Sequence, residues 1–504
     1  MNRNIRRLGV VFIALFVAMV AQVNYLQVIR SDQLANHPGN TRTAVKDFGE
    51  PRGSIRTADG VLVAESYLNP NTDSAFTYLR RYPRGPLYAH ISGYFSYNYG
   101  SSGVERSFGA QLAGRKVATT ANGIKSLLTS KVVTGNVELT IQHRVQRVAA
   151  QALKERRGSV VAIDPRTGAI IASVSYPSYD PNSLAGPDFD KVRTSWDALN
   201  ADPTVPMLAR AYRERYAPGS TFKVVTAATG LETKVVGTET PVYPTLRELP
   251  LRFTTRPLRN FGGTSCGGTL VDVFRVSCNT SFAQLGLDLG PEKLNAGARA
   301  FGFNRNLPLD VSPGAVKSFF PDVDFFNRND PQLAQSAIGQ GSVSATTLQM
   351  ALIAAAIGNK GVMKEPHFVR AVTSSDGDRV SSETDNVFAR PISEETAAAM
   401  NTMMQEVVNR GTATRAAIRG VQVAAKTGTA QTRKTSEVTG KETAHAWTIA
   451  FAPADNPRVA VAVIIENVPE VSTATGGRIA APIARQVITS ALSMLSGPGG
   501  PDEQ

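Results

Sequence analysis

The longest apolar stretch of the chain lies near its amino terminus. Residues 8–21 are apolar throughout, and the stretch continues with few polar residues to Ile29. About 20 helical residues span a bilayer, so only the extended stretch predicts a transmembrane helix. Arg3, Arg6 and Arg7 precede it, which predicts a cytoplasmic amino terminus and an exported remainder. A cleaved signal peptide is the alternative, but no clear Ala-x-Ala site ends the stretch, which favours a retained anchor.

Patterns further along the chain predict an antiparallel sheet flanked by helices. Two β-prone runs, 158–163 and 169–175, lie on either side of a turn-rich segment and indicate a hairpin. Runs at 421–425 and 447–452 predict further strands. A closing helix is predicted from Pro482, because apolar residues then recur at helical spacing and would face the sheet. They are Ile483, Val487, Ile488, Leu492 and Leu495. The expected fold class is α/β, of the α+β type.

The segment Ser220-Thr221-Phe222-Lys223 is the only Ser-x-x-Lys sequence in the chain, and it opens an apolar helical run after Pro218-Gly219. Residues i and i+3 share a helix face, which places the Ser220 hydroxyl beside the Lys223 amine. Burial lowers a lysine pKa, so a neutral Lys223 would accept the serine proton and activate Ser220 as a nucleophile. A helix N-cap is the alternative role for Ser220 in the isolated tetrad.

A second short motif, Ser277-Cys278-Asn279, comes later in the chain. The Ser277 hydroxyl suits a proton relay between Lys223 and a leaving group, and the Asn279 amide suits a hydrogen bond to a peptide carbonyl. The similar segment Ser96-Tyr97-Asn98 is excluded because it precedes the candidate nucleophile. Taken alone, the second motif is equally explained by a capped turn before the helix-like run 280–287.

The third motif, Lys426-Thr427-Gly428-Thr429, follows the β-prone run 421–425 and contains the only Lys-[Ser/Thr]-Gly sequence. Gly428 leaves room for a peptide to lie against the strand and pair with its backbone. Lys426, Thr427 and Thr429 then suit a terminal carboxylate. An exposed strand end is the alternative for this motif alone. The three motifs in this order predict a single active site.

These motifs resemble those of penicillin-binding proteins and class A β-lactamases. Other segments extend the resemblance over nearly the whole chain, to the class B penicillin-binding proteins, which are D,D-transpeptidases of peptidoglycan synthesis. Two segments, 216–219 and 266–268, are most similar to the actinobacterial penicillin-binding protein A subfamily. The remaining segments that carry the resemblance are Arg52-Gly53-Ser54-Ile55, Asp59-Gly60, Gly103-Val104-Glu105, Ile338-Gly339-Gln340-Gly341 and Leu348-Gln349-Met350-Ala351.

The resemblance, together with local composition, predicts how the chain is divided. Residues 30 to about 140 are rich in Gly, Tyr, Ser and Arg and contain none of the three motifs. They suit a mixed, non-catalytic pedestal of the dimerisation type. The expected division is 1–7 cytoplasmic tail, 8–29 transmembrane signal anchor, 30–156 pedestal, 157–495 transpeptidase domain with a penicillin-binding/β-lactamase-like fold, and 496–504 disordered tail.

The resemblance also implies a mechanism. Ser220 is the expected nucleophile, with Lys223, Ser277 and Lys426 as further catalytic residues. Ser220 would attack the D-Ala-D-Ala bond of a donor stem peptide, release D-alanine, and pass the acyl group to an amine of a neighbouring stem peptide. The backbone N–H groups of Ser220 and Thr429 would form the oxyanion hole. A β-lactam would acylate the same serine. The expected substrate-binding residues are Asn279, Thr427, Gly428 and Thr429.

The resemblance further implies partners and a location. No glycosyltransferase-like region precedes the transpeptidase, so the chain is expected to cross-link glycan but not to polymerise it. The expected partner is a polytopic glycosyltransferase of the shape, elongation, division and sporulation (SEDS) family, with other division or elongation proteins. The substrates are peptidoglycan stem peptides and lipid-linked precursors. The expected location is the plasma membrane, with a single pass and an extracytoplasmic catalytic domain.

Composition limits the remaining function classes. A chain of 504 residues with 42% hydrophobic residues supports about two to four domains with a substantial core. Its net charge of +13 fits anionic wall polymers or lipid headgroups, whereas no basic-aromatic module or zinc spacing indicates nucleic acid. The five histidines are scattered without ligand spacing, so no metal and no cofactor are expected.

Cys266 and Cys278, separated by 12 positions, are the only cysteines of the chain. A disulfide persists in an exported domain, and a loop of this size would stabilise the fold by about 3 kcal/mol in the chain-entropy model. Such a bridge would also fix the second motif. Two partly buried free thiols are the alternative.

Two other functions stay open. A serine D,D-carboxypeptidase or β-lactamase uses the same three motifs but hydrolyses its acyl-enzyme, and the sequence shows no secure deacylating base. An inactive cell-wall scaffold is the non-enzymatic alternative. The complete set of motif residues argues against the scaffold, and the anchor, pedestal and length favour transpeptidation.

Overall fold

The computed structural model describes residues 3–30, 48–74, 76–114, 134–382, 385–435, 440, 442–469 and 475–495. The predicted tail at 496–504 lies outside these residues. The first helix, α1, spans Arg3–Asn24 and continues as a π-helix over Tyr25–Ile29. Within residues 5–29, the most apolar 18-residue window has a mean hydropathy of 2.1, and none of this window is buried in the protein. One amino-terminal helix is therefore long and apolar enough for a single-pass membrane anchor.

The described strands are short in the first part of the chain and long near its end. They are β1 (Ile55–Arg56), β2 (Leu62–Leu68), β3 (Tyr78–Arg81), β4 (Phe95–Ser96), β5 (Gly100–Ser101), β6 (Gly135–Leu139), β7 (Gly158–Ile163), β8 (Ile170–Tyr176), β9 (Tyr243–Leu246), β10 (Glu248–Leu249), β11 (Leu258–Arg259), β12 (Cys266–Gly268), β13 (Met363–Lys364), β14 (Val369–Ser374), β15 (Arg379–Ser382), β16 (Val387–Ala389), β17 (Ala424–Thr435), β18 (Glu442–Ala452) and β19 (Val459–Pro469).

The helices that follow α1 are distributed along the whole described part of the chain. They are α2 (Gly85–Ser92), α3 (Gly103–Ser107), α4 (Gly109–Leu112), α5 (His143–Leu153), α6 (Asn182–Ala185), α7 (Phe189–Ala201), α8 (Arg210–Arg213), α9 (Lys223–Glu232), α10 (Leu270–Arg275), α11 (Asn279–Ala300), α12 (Asp330–Ala337), α13 (Thr347–Gly358), α14 (Glu394–Arg410) and α15 (Gly476–Leu495). Single 3-10 turns lie at 219–222, 261–263, 323–326 and 414–416.

The main sheet has five antiparallel strands in the order β17-β18-β19-β7-β8. Helices α15 and α5 pack together at the sheet, while α13 packs on β19 and β7. The central strands do not alternate between buried and exposed residues, because both of their faces are covered: every residue of β7 is buried, as is most of β19. The predicted antiparallel sheet flanked by helices is confirmed.

A second sheet lies in the amino-terminal part and has the order β15-β14-β6-β1-β2-β3. Beside it, the carboxylate of Glu105 is fully buried between Arg52 and Arg80, each 2.7 Å away. Burial alone would raise the pKa of Glu105, but Arg80 and Arg52 bring it below its ordinary value. This charge cluster ties α3 to β3 and to the segment before β1.

The two sheets draw on interleaved parts of the chain, and the domain boundary at 156/157 stays a prediction. Strands β14 and β15, at 369–382, pair within the amino-terminal sheet through β6. Helix α5, which precedes the boundary, packs instead on β8 and α15. Such pairings join residues more than 200 positions apart, so local sequence patterns do not reveal them.

Two element boundaries also differ from the predictions. The closing helix begins at Gly476 rather than at Pro482, which lies inside α15. A proline at the seventh helical position removes one backbone hydrogen bond, which the packed helix tolerates. The strand predicted at 421–425 begins at Ala424, because Val421 closes a tight turn by donating its N–H to the Ile418 carbonyl, at 3.2 Å.

Candidate active site

Ser220 lies in the 3-10 turn Gly219–Phe222, which leads directly into α9. Gly219 has a φ of 53°, and a Cβ atom there would lie 2.8 Å from the Thr429 carbonyl oxygen on β17. Glycine is therefore required for the turn to approach the strand this closely. The Gly219 N–H donates to the Gly339 carbonyl at 2.8 Å, which fixes the turn from its other side.

The segment before this turn is anchored to the main sheet. The Trp447 indole on β18 donates to the Ala217 carbonyl at 3.0 Å, and the Tyr216 hydroxyl donates to Glu466 on β19 at 2.7 Å. Trp447 is fully buried and Glu466 nearly so. The position of Ser220 is thus set by three strands of the sheet and not by its own helix alone.

Lys223 is fully buried beneath Ser220. Its Nζ donates to the Ser277 carbonyl at 2.8 Å and to Asn279 Oδ1 at 2.7 Å. Helical spacing predicts the Ser220 hydroxyl beside this amine, but among the described residues the Nζ hydrogen bonds go to the second motif. A long lysine side chain reaches past its own helix face, and the carbonyl oxygens there accept its protons. In unliganded active sites such contacts often tighten only when substrate binds.

Ser277 joins two lysines. Its Oγ lies 2.9 Å from Lys426 Nζ and 3.5 Å from Lys223 Nζ. The residue has a φ of 63°, an uncommon backbone conformation for a residue other than glycine. This turn between α10 and α11 directs both the hydroxyl and the backbone carbonyl of Ser277 toward the lysines.

Both lysine amines are removed from water. Lys426, on β17, is fully buried like Lys223, and the Nζ atoms of Lys426 and Lys223 lie 5.5 and 5.4 Å from the ring centres of Phe274 and Phe282 respectively. Burial lowers the pKa of Lys426 to about 7. Burial, followed by the charge of Lys426, brings the pKa of Lys223 well below its ordinary value. An amine that gives up its proton near neutral pH, beside a second amine of lowered pKa, suits proton transfer.

The third motif forms the edge of the main sheet. Thr427 Oγ1 lies 2.6 Å from Thr412 Oγ1, and Gly428 is in register with Trp447 of β18. A Cβ atom on Gly428 would lie 2.9 Å from the Pro218 carbonyl oxygen. The structure thus explains the glycine at this position in a way that the sequence did not, because the turn that carries Ser220 packs directly on this strand.

One cavity of about 700 Å³ brings the motifs together. Ser220, Ser277 and Asn279 form part of its lining, with Thr427, Gly428 and Thr429 on the opposite wall. Its described lining residues include no Asp and no Glu. A larger polar cavity of about 1000 Å³ continues along β17 and shares Asn279 and Gln431 with it.

A disulfide joins Cys266 on β12 to Cys278, with Cα atoms 5.9 Å apart. Cys278 lies between Ser277 and Asn279, so the bridge links the second motif to strand β12. Asn260 holds the same motif from another side, because its Oδ1 accepts the backbone N–H groups of Asn279 and Thr280 at 2.9 and 3.0 Å. Asn260 therefore caps the first turn of α11 from a distant loop.

Sequence reasoning missed Asn260 and Thr412 as parts of this site. Neither belongs to a motif, and each reaches the site through a contact across 15 or more positions. Gln340 was noted only within a segment of the resemblance; its side chain donates to the Thr429 carbonyl at 3.4 Å. That segment is the only signal in the sequence for Gln340, and the sequence carries no signal for Asn260 or Thr412.

Comparison with known proteins agrees with this geometry. The model of the penicillin-binding protein transpeptidase domain matches residues 158–489, and that of the penicillin-binding protein A dimerisation domain matches residues 52–137. The chain belongs to the penicillin-binding protein transpeptidases. A peptidoglycan D,D-transpeptidase, PbpA of Mycolicibacterium smegmatis, is 39% identical over 98% of this chain and 99% of its own. The PbpA of Mycobacterium tuberculosis is 37% identical over the same shares.

Solved structures of penicillin-binding proteins share the fold. The ceftriaxone acyl-enzyme complex of penicillin-binding protein A from M. tuberculosis has a TM-score of 0.81 and 36% identity, covering 89% of this transpeptidase and all of that chain. Its penicillin G acyl-enzyme complex has a TM-score of 0.79 at the same identity, covering 88% and all of that chain. The class B resemblance inferred from the motifs is therefore confirmed.

Substituting Lys426 tests the burial of its amine through the pH dependence of stability. The folded pKa of about 7 lies below the value of about 10.4 in an unfolded chain. Between these values the unfolded chain binds the extra proton, so the free energy of unfolding rises with pH by about 1.4 kcal/mol per unit. Lys426→Met is expected to remove this rise of the free energy of unfolding with pH. Denaturant unfolding of the full-length protein in detergent between pH 8 and about 9.5 measures it.

Lys293→Met is the matched control, because Lys293 is exposed on α11. This variant is expected to keep the slope of the original protein. Equal slopes for Lys426→Met and Lys293→Met would show that Lys426 is charged in the folded state and would contradict its desolvation.

Proposed function

We propose that Ser220 is the nucleophile with which this peptidoglycan D,D-transpeptidase cross-links stem peptides. The observation that carries the proposal is the cavity in which Ser220, the Ser277–Asn279 turn and the Lys426–Thr429 strand meet above two buried lysines. Ser220 Oγ attacks the carbonyl carbon of the D-Ala-D-Ala bond. The C–N bond then breaks, D-alanine leaves with a proton on its nitrogen, and the peptide remains on Ser220 as an ester.

Lys223 is the proposed general base. Its lowered pKa keeps a neutral amine available to take the Ser220 proton. Ser277, which lies between the amines of Lys223 and Lys426, then carries a proton to the leaving nitrogen. In the second step the acceptor amine attacks the ester and loses a proton to this network. Ser220 takes a proton back from the network as its ester bond breaks.

Substrate binding is assigned to the two walls of the cavity. The Asn279 amide receives the donor peptide, and Thr427 and Thr429 hold its terminal carboxylate together with Lys426. The backbone N–H groups of Ser220 and Thr429 form the oxyanion hole, in which one donor is typically worth about 3 kcal/mol. The close approach of Gly219 to the Thr429 carbonyl supports this pairing of segments.

Transpeptidation is favoured over hydrolysis by the lining of the cavity. A class A β-lactamase activates a water molecule against the ester with a glutamate. None of the described residues that line this cavity is Asp or Glu. A β-lactam is therefore proposed to acylate Ser220 and to remain bound, in line with the acyl-enzyme complexes of the M. tuberculosis relative.

The anchor defines the proposed topology. Helix α1 carries arginines at its start and apolar residues to Ile29, which favours a cytoplasmic amino terminus and a retained single pass in the plasma membrane. The transpeptidase then acts outside the cytoplasm on lipid-linked precursors and nascent peptidoglycan. A polytopic SEDS-family glycosyltransferase is the proposed source of glycan, in contact with the anchor and the amino-terminal sheet.

Replacing the nucleophile tests the reaction directly. Ser220→Ala is expected to lower D-alanine release and dimeric stem-peptide product by about a thousandfold or more, because no other described group replaces the hydroxyl. The assay uses lipid-linked precursor, a purified glycosyltransferase and chromatographic product analysis. Ser96→Ala is the control, because Ser96 belongs to the other Ser-x-Asn sequence and lies buried in β4. Full cross-linking by Ser220→Ala would contradict the assignment.

The glycosyltransferase contact has its own test. The anchor is exchanged for an unrelated membrane-spanning helix, and the exposed Tyr67 and Leu68 at the end of β2 are replaced by serine. Copurification of the tagged glycosyltransferase with this chain is expected to be lost, while penicillin still acylates Ser220. Undiminished copurification would argue against contact through these two regions.

A further inference from the structure

A cleft of about 380 Å³ lies between the end of α5, the 3-10 turn Thr414–Ala416 and the first turns of α15. We refer to it as the basic cleft. Four cationic residues line it: Lys154, Arg156, Arg415 and Arg478. Its remaining described lining is neutral, with glutamines and apolar residues and no Asp or Glu.

The charges of the basic cleft have no counter-ions in the part of the protein that the structure describes. None of its four cations lies within 4 Å of a carboxylate of those residues. Arg156 is held by the Leu153 carbonyl at 3.0 Å and the Ala152 carbonyl at the end of α5, and Arg415 donates to the Arg478 carbonyl at 3.5 Å. Like charges gathered in one cleft repel one another. By contrast, the arginines and glutamates lining the 1000 Å³ cavity balance in number.

The basic cleft adjoins one end of the active-site cavity through two chain segments. Thr412 and Gly477 line the active-site cavity, whereas Arg415 and Arg478, three and one positions later, line the basic cleft. Thr412 also contacts Thr427 through their hydroxyls, 2.6 Å apart. This rim is therefore the end of the cavity at which the terminal carboxylate of the donor is proposed to bind.

The chemistry of cross-linking decides which strand passes this rim. The acceptor amine attacks the ester carbon from the side that the D-alanine amine has left, so the acceptor approaches past the terminal-carboxylate end. Stem peptides carry carboxylates, and guanidinium groups bind carboxylates through paired hydrogen bonds. We propose that Arg415 and Arg478, with Lys154 and Arg156, bind a carboxylate of the acceptor strand. This inference rests on the proposed function and adds a second, anion-selective site to it.

Acceptor kinetics of the full-length protein test the proposal. The donor is an acyl-D-alanyl thioester, and the acceptor is a stem peptide offered with free carboxylates or with the same groups as carboxamides. Arg415→Gln/Arg478→Gln is expected to raise the KM for the carboxylate acceptor about fivefold, since two exposed ion pairs are lost. The KM for the carboxamide acceptor is expected to stay the same. Arg419→Gln/Arg485→Gln is the matched control, because these exposed arginines occupy the same segments outside the cleft.

Four outcomes decide whether the basic cleft binds the acceptor. A selective rise for the carboxylate acceptor supports the site. Equal KM values in all variants overturn it, as does a rise that is the same for both acceptors. The same proteins are mixed with anionic phospholipid vesicles; loss of vesicle binding with unchanged acceptor KM would also overturn the proposal and assign the cleft to lipid headgroups. The rate of penicillin acylation, which needs no acceptor, reports separately on Ser220 and the proposed function.

Discussion

The site depends on keeping two amines out of water. Lys223 and Lys426 are both fully buried, and a buried ammonium is costly unless it is paired or gives up its proton. No carboxylate is bonded to either amine among the described residues; instead they meet at Ser277, with two backbone carbonyls and an amide oxygen as additional acceptors. Burial of the two amines thus costs stability and holds groups of lowered pKa beside the proposed nucleophile, Ser220.

The two buried lysines must be held by rigid elements on all sides. The fold supplies these elements from separate parts of the chain. The strand edge at β17 brings Lys426, and the first turn of α9 brings Lys223. Glycines at positions 219 and 428 allow these two elements to touch. The disulfide and the Asn260 side chain fix the third wall, which carries Ser277. The lowered pKa of the proposed base, Lys223, and the placement of the proposed nucleophile, Ser220, follow from the same close packing.

Sequence reasoning succeeded where function and local structure coincide. The three motifs contain the chemical groups themselves, and the hairpin of β7 and β8 follows from β-prone runs on either side of a turn. It failed where a residue acts through a distant partner: Asn260 caps a helix that begins 19 residues later, and β14 joins a sheet whose other strands come mostly far earlier. The Lys223 hydrogen bonds also depend on a turn that helical spacing does not describe.

The most direct test of a nucleophile poised above neutral amines is intact-protein mass spectrometry with penicillin. The original protein is followed over hours at several pH values beside Ser220→Ala. A stable adduct of one drug molecule is predicted for the original protein only, and it is expected to form at neutral as well as alkaline pH, because burial keeps the pKa of the Lys223 amine well below its ordinary value. An adduct on Ser220→Ala would contradict the nucleophile, rapid drug turnover would indicate a β-lactamase, and the absence of any adduct or turnover would indicate an inactive scaffold.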